Sequence, residues 1–273
     1  MKLPKIIFSD IDGTLLNSDR DLSEKTIEQV KRVGQKIPFL LVSARMPKQM
    51  THLQKKLSIE NSPKICYNGA LVLSGNNEVI RSVEIPNHFA RKLVEFNQSL
   101  SQKIHISLFH NDQWFVENYD QWAAREENNT QTQPQIRSNE QTLAQWESEN
   151  IGAHKIMCMG EANLIDVVFN YMQEHFGKDL HLYRSKDTYI EISNMAVSKL
   201  TGIQQLMACE FPKLRLEDVM TFGDNYNDVE MTKAVGFGVA VANARPEVIA
   251  VANAITDHHK ENGVANFLEK MTI

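Results

Sequence analysis

Short apolar runs that end abruptly on acidic or hydroxyl residues constrain this chain more than any other feature. In "KIIFSDIDGTLL" (Lys5 to Leu16) a buried-strand pattern over residues 5–9 gives way to Asp10, Asp12, Gly13 and Thr14. Side chains two apart on an extended segment point to the same side, so Asp10 and Asp12 can both face one site, and their repulsion calls for something positive to offset it. "IPFLLVS" (37–43) is a second such run, ending on Ser43; "KICYNGALVL" is a third, turning at Asn68-Gly69; "DVMTFGD" (218–224) ends on Asp224. Amphipathic stretches separate them. "SEKTIEQVKRVGQK" has Ser23 as an N-cap and Ile27, Val30 and Val33 on one face, "PKQMTHLQKKL" carries Pro47 suited to a first turn, and "NDVEMTKAVG" stops at Gly236. "FGVAVA" and a short "AITD" strand between two closing helices complete the pattern. This alternation predicts right-handed crossovers and a parallel sheet with helices on both faces.

The middle of the chain has another rhythm. "KIHISLFHNDQWFVE" reads as an antiparallel hairpin around a His-Asn-Asp turn. Residues 130–142 (TQTQPQIRSNEQT) read as a polar loop, and strand, helix, strand, strand follow. The expectation is an α/β protein with a Rossmann-like parallel-sheet core over 1–82 and 191–273, interrupted by an α+β module over 83–190.

Bulk properties remove several classes of function. The chain has 273 residues, enough for one large or two medium domains, and an ordinary 42% apolar and 23% charged content. A net charge of −5 argues against nucleic acid or an anionic membrane as partner. No apolar run approaches the roughly 18 residues of a membrane span. "MKLPKIIFSDIDG" shows neither a long apolar stretch nor a small-residue cleavage site, and Cys66, Cys158 and Cys209 read as reduced core thiols, so a cytoplasmic location is expected.

In an open parallel sheet, ligands bind beyond the carboxyl ends of the strands, and the polar residues fall there. Asp10 and Asp12 suit a hard cation such as Mg²⁺, although an acidic turn is an equal reading of those residues alone. Ser43 can donate to a phosphate oxygen or simply cap a turn. Lys199, in "NMAVSKLTG", can pair with a carboxylate and a phosphate, or be a solvated surface lysine. In "TFGDNYNDVEM", Asp224, Asn227 and Asp228 cluster where a helix opens, suited to a cation or to capping. Taken one at a time these are ambiguous; four polar strand ends in order on one sheet edge are hard to explain as caps.

The order DxDGT (Asp10–Thr14), strand-end Ser43, Lys199 and GDxxND (Gly223–Asp228) resembles the haloacid dehalogenase-like superfamily of phosphotransferases. The position of the insert and the "YNGA", "GVAVANA" and "NGVANFL" stretches resemble its Cof-type branch, whose type IIB cap is an inserted specificity domain. The resemblance implies a Mg²⁺-dependent phosphatase acting on small phosphomonoesters, sugar phosphates or similar. It implies Asp10 as nucleophile and Asp12 as general acid and base. Mg²⁺ would be held by Asp10, Asp12 through its backbone carbonyl, and Asp224, with Asp228 in support. Ser43 and Lys199 would hold the phosphoryl oxygens, with Asn227, Asn68 and Arg45 alongside. Ala44, Leu200 and Val241 depart from the usual glycine, glycine and methionine, and none removes a functional group. A phosphomutase would use the same residues; a non-catalytic metal- or phosphate-binding regulator would be expected to lack Asp10 or Asp12.

Overall fold

The computed structural model of the chain describes residues 3–272. The chain opens with β1 (Ile6–Ser9), α1 (Glu24–Gly34), β2 (Phe39–Val42), α2 (Pro47–Leu57), β3 (Lys64–Cys66), β4 (Leu71–Leu73) and β5 (Val79–Ser82). It continues through α3 (Asn87–Ser99), β6 (His105–His110), β7 (Gln113–Val116), α4 (Gln121–Thr130), β8 (Gln135–Ile136), α5 (Asn139–Glu149), β9 (Lys155–Met159), α6 (Ala162–Phe176), β10 (Leu180–Lys186) and β11 (Tyr189–Asn194). Then come α7 (Lys199–Glu210), β12 (Val219–Gly223), α8 (Val229–Ala234), β13 (Phe237–Val241), α9 (Pro246–Ile249), β14 (Ala254–Thr256) and α10 (Gly263–Glu269). The contacts divide into two compact units, one running to Arg81 and resuming at Ser198, the other spanning Ser82–Val197.

The first unit is built on an eight-stranded sheet in the order β14-β13-β12-β1-β2-β3-β4-β5. β1 lies in its middle, parallel to β12 (Ile6 opposite Val219) and to β2 (Ile7 opposite Phe39). The turn at Asn68-Gly69 makes β4 antiparallel to β3. Ile6 and Phe8 alternate with Ile7, and they join Leu40, Val42, Ile65, Val72, Ile203, Leu206 and Met231 in one apolar layer. Both faces of β1 and β2 are buried because helices lie on each, which is why these strands read as continuous apolar runs. Ser23 caps α1 by accepting from the Thr26 N–H at 3.1 Å, and Val30 and Val33 are fully buried. Cys209 is exposed, in contrast to the core thiol expected, because it falls on the outward face of α7; Cys66 and Cys158 are buried. No helix among the described residues is long and apolar enough to cross a membrane.

The second unit has a six-stranded sheet in the order β10-β11-β9-β6-β7-β8. Its core includes Leu93, Val94, Leu108, Phe115, Trp146, Ile156, Val168 and Ile190. β11 belongs to this sheet, so the unit runs to Val197 rather than to 190. Three of its helices, α3, α4 and α5, are absent from the elements expected from the sequence, and residues 139–142 are helical rather than loop. Ser138 is the N-cap of α5, its hydroxyl accepting from the Gln141 N–H at 3.2 Å.

α7 packs tightly against β3 and the turn after it at Gly202. A Cβ there would stand 2.7 Å from Ile65 Cγ2 and 2.9 Å from Gly69 Cα. Alanine would gain about 1 kcal/mol of helix propensity, but overpacking a tight contact costs about 1–3 kcal/mol, so the clash outweighs the gain. Gly202→Ala is expected to lower the urea midpoint without changing the slope of the transition; a raised midpoint would show that the contact is looser than described.

Candidate active site

Four polar loops meet at the carboxyl end of the first unit's sheet. The first follows β1. The Asp10 N–H donates to the Phe222 carbonyl at 3.0 Å, which keeps the residue tied to β12 as the strand ends. Gly13 then takes φ +83°, and a Cβ there would meet Asp224 Oδ2 at 2.5 Å, so glycine is required both by conformation and by space. Its carbonyl accepts from Asn243 Nδ2 at 2.8 Å, and Thr14 Oγ1 donates to Asp224 Oδ1 at 2.9 Å. Thr14 and Asn243 thus shape the site, a role that the sequence motifs did not assign to either.

The second and third loops support each other. Ser43 is buried, and its hydroxyl accepts from the Arg45 N–H at 3.2 Å. After β3, Tyr67 and Asn68 both adopt left-handed backbone, with φ of 50° and 55°. Such a conformation costs a bulky residue on the order of 1–3 kcal/mol and persists only where its surroundings hold it. Here the Tyr67 N–H donates to the Arg45 carbonyl at 3.1 Å and the Asn68 N–H to the Ser43 carbonyl at 2.8 Å. Asn227 Nδ2 donates to Asn68 Oδ1 at 2.9 Å, linking this turn to the fourth loop, which follows β12.

Lys199, the first residue of α7, enters the centre. Its Nζ donates to Asp10 Oδ1 at 2.5 Å and to Asp228 Oδ1 at 2.6 Å, with the lysine and Asp228 side chains fully buried. The other Asp228 oxygen accepts from the N–H groups of Asp224 and Asn225 at 2.9 and 3.0 Å. Burial alone would favour a neutral amine, but the two carboxylates outweigh it and hold the Lys199 ammonium well above its ordinary range. Burial, with Asp228 and Asp224 nearby, pushes the Asp10 carboxyl up despite Lys199. Asp224 is pushed up to about 6, chiefly by burial and then by Asp228.

Asp10, Asp224 and Asp228 place one oxygen each within 4.8 Å of one another. Three carboxylates around one ammonium leave the group short of positive charge, and the raised Asp10 and Asp224 express that deficit. An all-oxygen donor set of this kind fits a hard divalent cation such as Mg²⁺. The Asp12 side chain lies outside this trio. It forms a forked ion pair with Arg45, Nε to Oδ2 at 2.7 Å and Nη2 to Oδ1 at 2.8 Å. The surrounding protein desolvates this carboxyl although it reaches solvent; the Arg45 hydrogen bonds and charge prevail and hold it below the usual carboxylate range.

Glu84, His110 and His154, all in the second unit, form another group of metal-ligand types. Hydrogen bonds account for it. The Asn111 N–H donates to His154 Nδ1 at 3.1 Å, which leaves the proton of this neutral ring on Nε2, facing Ser82 Oγ at 3.0 Å. His110 Nδ1 donates to the Gly152 carbonyl at 2.7 Å, and Glu84 Oε2 accepts from the Gly152 N–H at 2.5 Å. Burial, and then the neighbouring His110, pushes His154 down to about 3, so it stays neutral.

A family model described as haloacid dehalogenase-like hydrolase matches residues 7–268. A Haemophilus influenzae protein whose own assignment as a phosphatase is provisional is 30% identical over 270 residues, covering 97% of each chain. The 5-amino-6-(5-phospho-D-ribitylamino)uracil phosphatase YitU of Bacillus subtilis is 24% identical, over 98% of this chain and 97% of its own. The fold matches a crystal structure from Thermotoga maritima with a TM-score of 0.87 at 24% identity, covering 99% of this chain and 98% of that one. It also matches a subclass IIB sugar phosphatase with a TM-score of 0.79 at 21% identity, covering 97% and 98%.

The raised Asp224 has a consequence for stability when divalent cations are removed. Its carboxyl binds a proton more tightly in the folded chain, at about 6, than at its ordinary 3.8. The folded state therefore holds the extra proton between those values, and the associated stability, fully present below the lower one, is lost as pH rises through the higher. In EDTA, the urea midpoint of the wild type is expected to fall between pH 4 and pH 6 more steeply than that of Asp224→Asn. Equal slopes would contradict this electrostatic description.

Proposed function

The chain belongs to the haloacid dehalogenase-like hydrolases, and on that premise we propose that it is a Mg²⁺-dependent phosphatase of small sugar- or polyol-type phosphomonoesters, acting through a phosphoryl group carried on Asp10. The observation that carries this reading is the trio of Asp10, Asp224 and Asp228 gathered around the buried Lys199 ammonium. The substrate class follows the relatives: one is named for a ribitylamino phosphate and another for sugar phosphates.

Bound by Asp10, Asp224 and Asp228, with the Asp12 carbonyl in support, Mg²⁺ would offset the repulsion between a carboxylate nucleophile and an anionic phosphoryl group. Lys199 holds Asp10 in one orientation by binding one of its oxygens, and its charge favours the ionised nucleophile. In the first step an Asp10 oxygen bonds to phosphorus as the ester P–O bond breaks, and Asp12 gives a proton to the departing alcohol oxygen. In the second, water attacks phosphorus, its proton passes to Asp12, and the Asp10 carboxylate leaves. Ser43, Asn68, Asn227 and Lys199 are the groups proposed to hold the phosphoryl oxygens, the first three positioned by the hydrogen bonds between their loops. The unit spanning Ser82–Val197 is proposed as the inserted cap that selects the alcohol.

Phosphate release from p-nitrophenyl phosphate and a panel of sugar phosphates is expected with Mg²⁺ and not with EDTA. Asp10→Asn should lower it by at least about 10³-fold, measured at a temperature where circular dichroism shows the variant still folded. Release that survives the substitution, or silence on every ester from a folded, Mg²⁺-binding protein, would overturn the proposal.

A further inference from the structure

Arg45 stands where a ligand for the phosphoryl group would be expected, yet its guanidinium is committed elsewhere. Two of its nitrogens meet the two oxygens of Asp12, and the third, Nη1, donates to the Gln49 carbonyl at 3.4 Å. The Arg45 side chain is 6% exposed, whereas that of Asp12 is 46% exposed. The backbone beneath is fixed as well. The Arg45 N–H donates to Ser43 Oγ, its carbonyl accepts from Tyr67, and Gln49 Oε1 accepts from the Met46 N–H at 3.2 Å. A rigid, buried fork thus grips a side chain that would otherwise turn freely at the surface.

We propose that Arg45 is a positioning residue that acts through Asp12, and is not a ligand of the phosphoryl group. The inference rests on the phosphatase reading above and assigns a role within it. With both oxygens gripped by Arg45, the direction in which Asp12 presents its carboxyl is fixed. As the P–O bond of the ester breaks, its electron pair stays on the alcohol oxygen, that oxygen takes the proton from Asp12, and the carboxylate left behind closes onto the fork. The forked pair orients Asp12 for this transfer. Lysine offers a single point charge in place of the fork and reproduces only part of this.

Such a role separates from phosphate binding by its dependence on the leaving group. p-Nitrophenolate departs with little need of a proton, whereas phenolate needs one. Arg45→Gln is expected to lower kcat/KM for phenyl phosphate by about 10²-fold, the lower end of general-acid contributions, and for p-nitrophenyl phosphate by only a few-fold. Arg45→Lys should fall between wild type and Arg45→Gln on phenyl phosphate, and it carries the same test if the glutamine variant does not fold. In an Asp12→Ala background, where nitrophenol release is followed as a single-turnover burst, adding Arg45→Gln should cost nothing further. Equal losses on both esters, persisting without Asp12, would overturn the proposal and make Arg45 a phosphate ligand. A wild type that releases no nitrophenol with Mg²⁺ would instead remove the phosphatase reading, and this inference with it.

Discussion

Everything at the candidate active site is arranged around one ammonium group with no exposure to solvent. Lys199 comes from the start of α7, Asp10 from the end of β1 and Asp228 from the loop after β12, and the three meet within 2.6 Å contacts. Deleting one partner of such a buried group leaves an uncompensated charge and costs on the order of 3–5 kcal/mol, so the three segments are bound to one another energetically as well as by packing. Because two carboxylates face one ammonium and Asp224 adds a third, the centre has more acid than base, and the raised Asp10 and Asp224 carboxyls express that excess of negative charge.

The sheet order makes that meeting geometrically available. β1 and β12 are neighbours and parallel, so Asp10 and Asp224 leave adjacent strands at the same end. β2 and β3 follow on the other side, which brings Ser43 and the left-handed turn at Tyr67 and Asn68 to the same end. Two close approaches then set the spacing. Gly13 lets the first loop pass against Asp224, and Gly202 with Gly69 lets α7 sit low enough for Lys199 to enter. Backbone, not side-chain reach, does most of the positioning.

How much of this could be read beforehand depended on whether the signal was local. β1, β2 and β12 were legible because strands buried on both faces are apolar runs, and the acid at their ends marks where the runs stop. That Lys199 belongs with Asp10 was not legible from spacing, since 189 residues separate them; only the resemblance joined them. The partnership of Asp12 with Arg45 was invisible for a related reason, because an arginine three residues past a strand end can face phosphate or carboxylate equally well. In the second unit, α4 buries only Ala123 and Thr130, too little for an apolar face to stand out. α5 has Leu143 and Trp146 behind a polar lead-in that resembles a loop, and the Ser138 cap seen in the structure is what sets the two apart. α3, by contrast, carries a readable helical spacing in Ala90, Leu93, Val94 and Asn97.

The central claim is that Asp10 itself takes the phosphoryl group. The stereochemical course at phosphorus tests it most directly, with a phosphomonoester made chiral by three oxygen isotopes and an alcohol as acceptor in place of water. Two successive in-line displacements, first by Asp10 and then by the acceptor, predict net retention of configuration. Inversion would mean a single direct displacement, and the carboxylate held by Lys199 would then be a metal ligand and not a nucleophile.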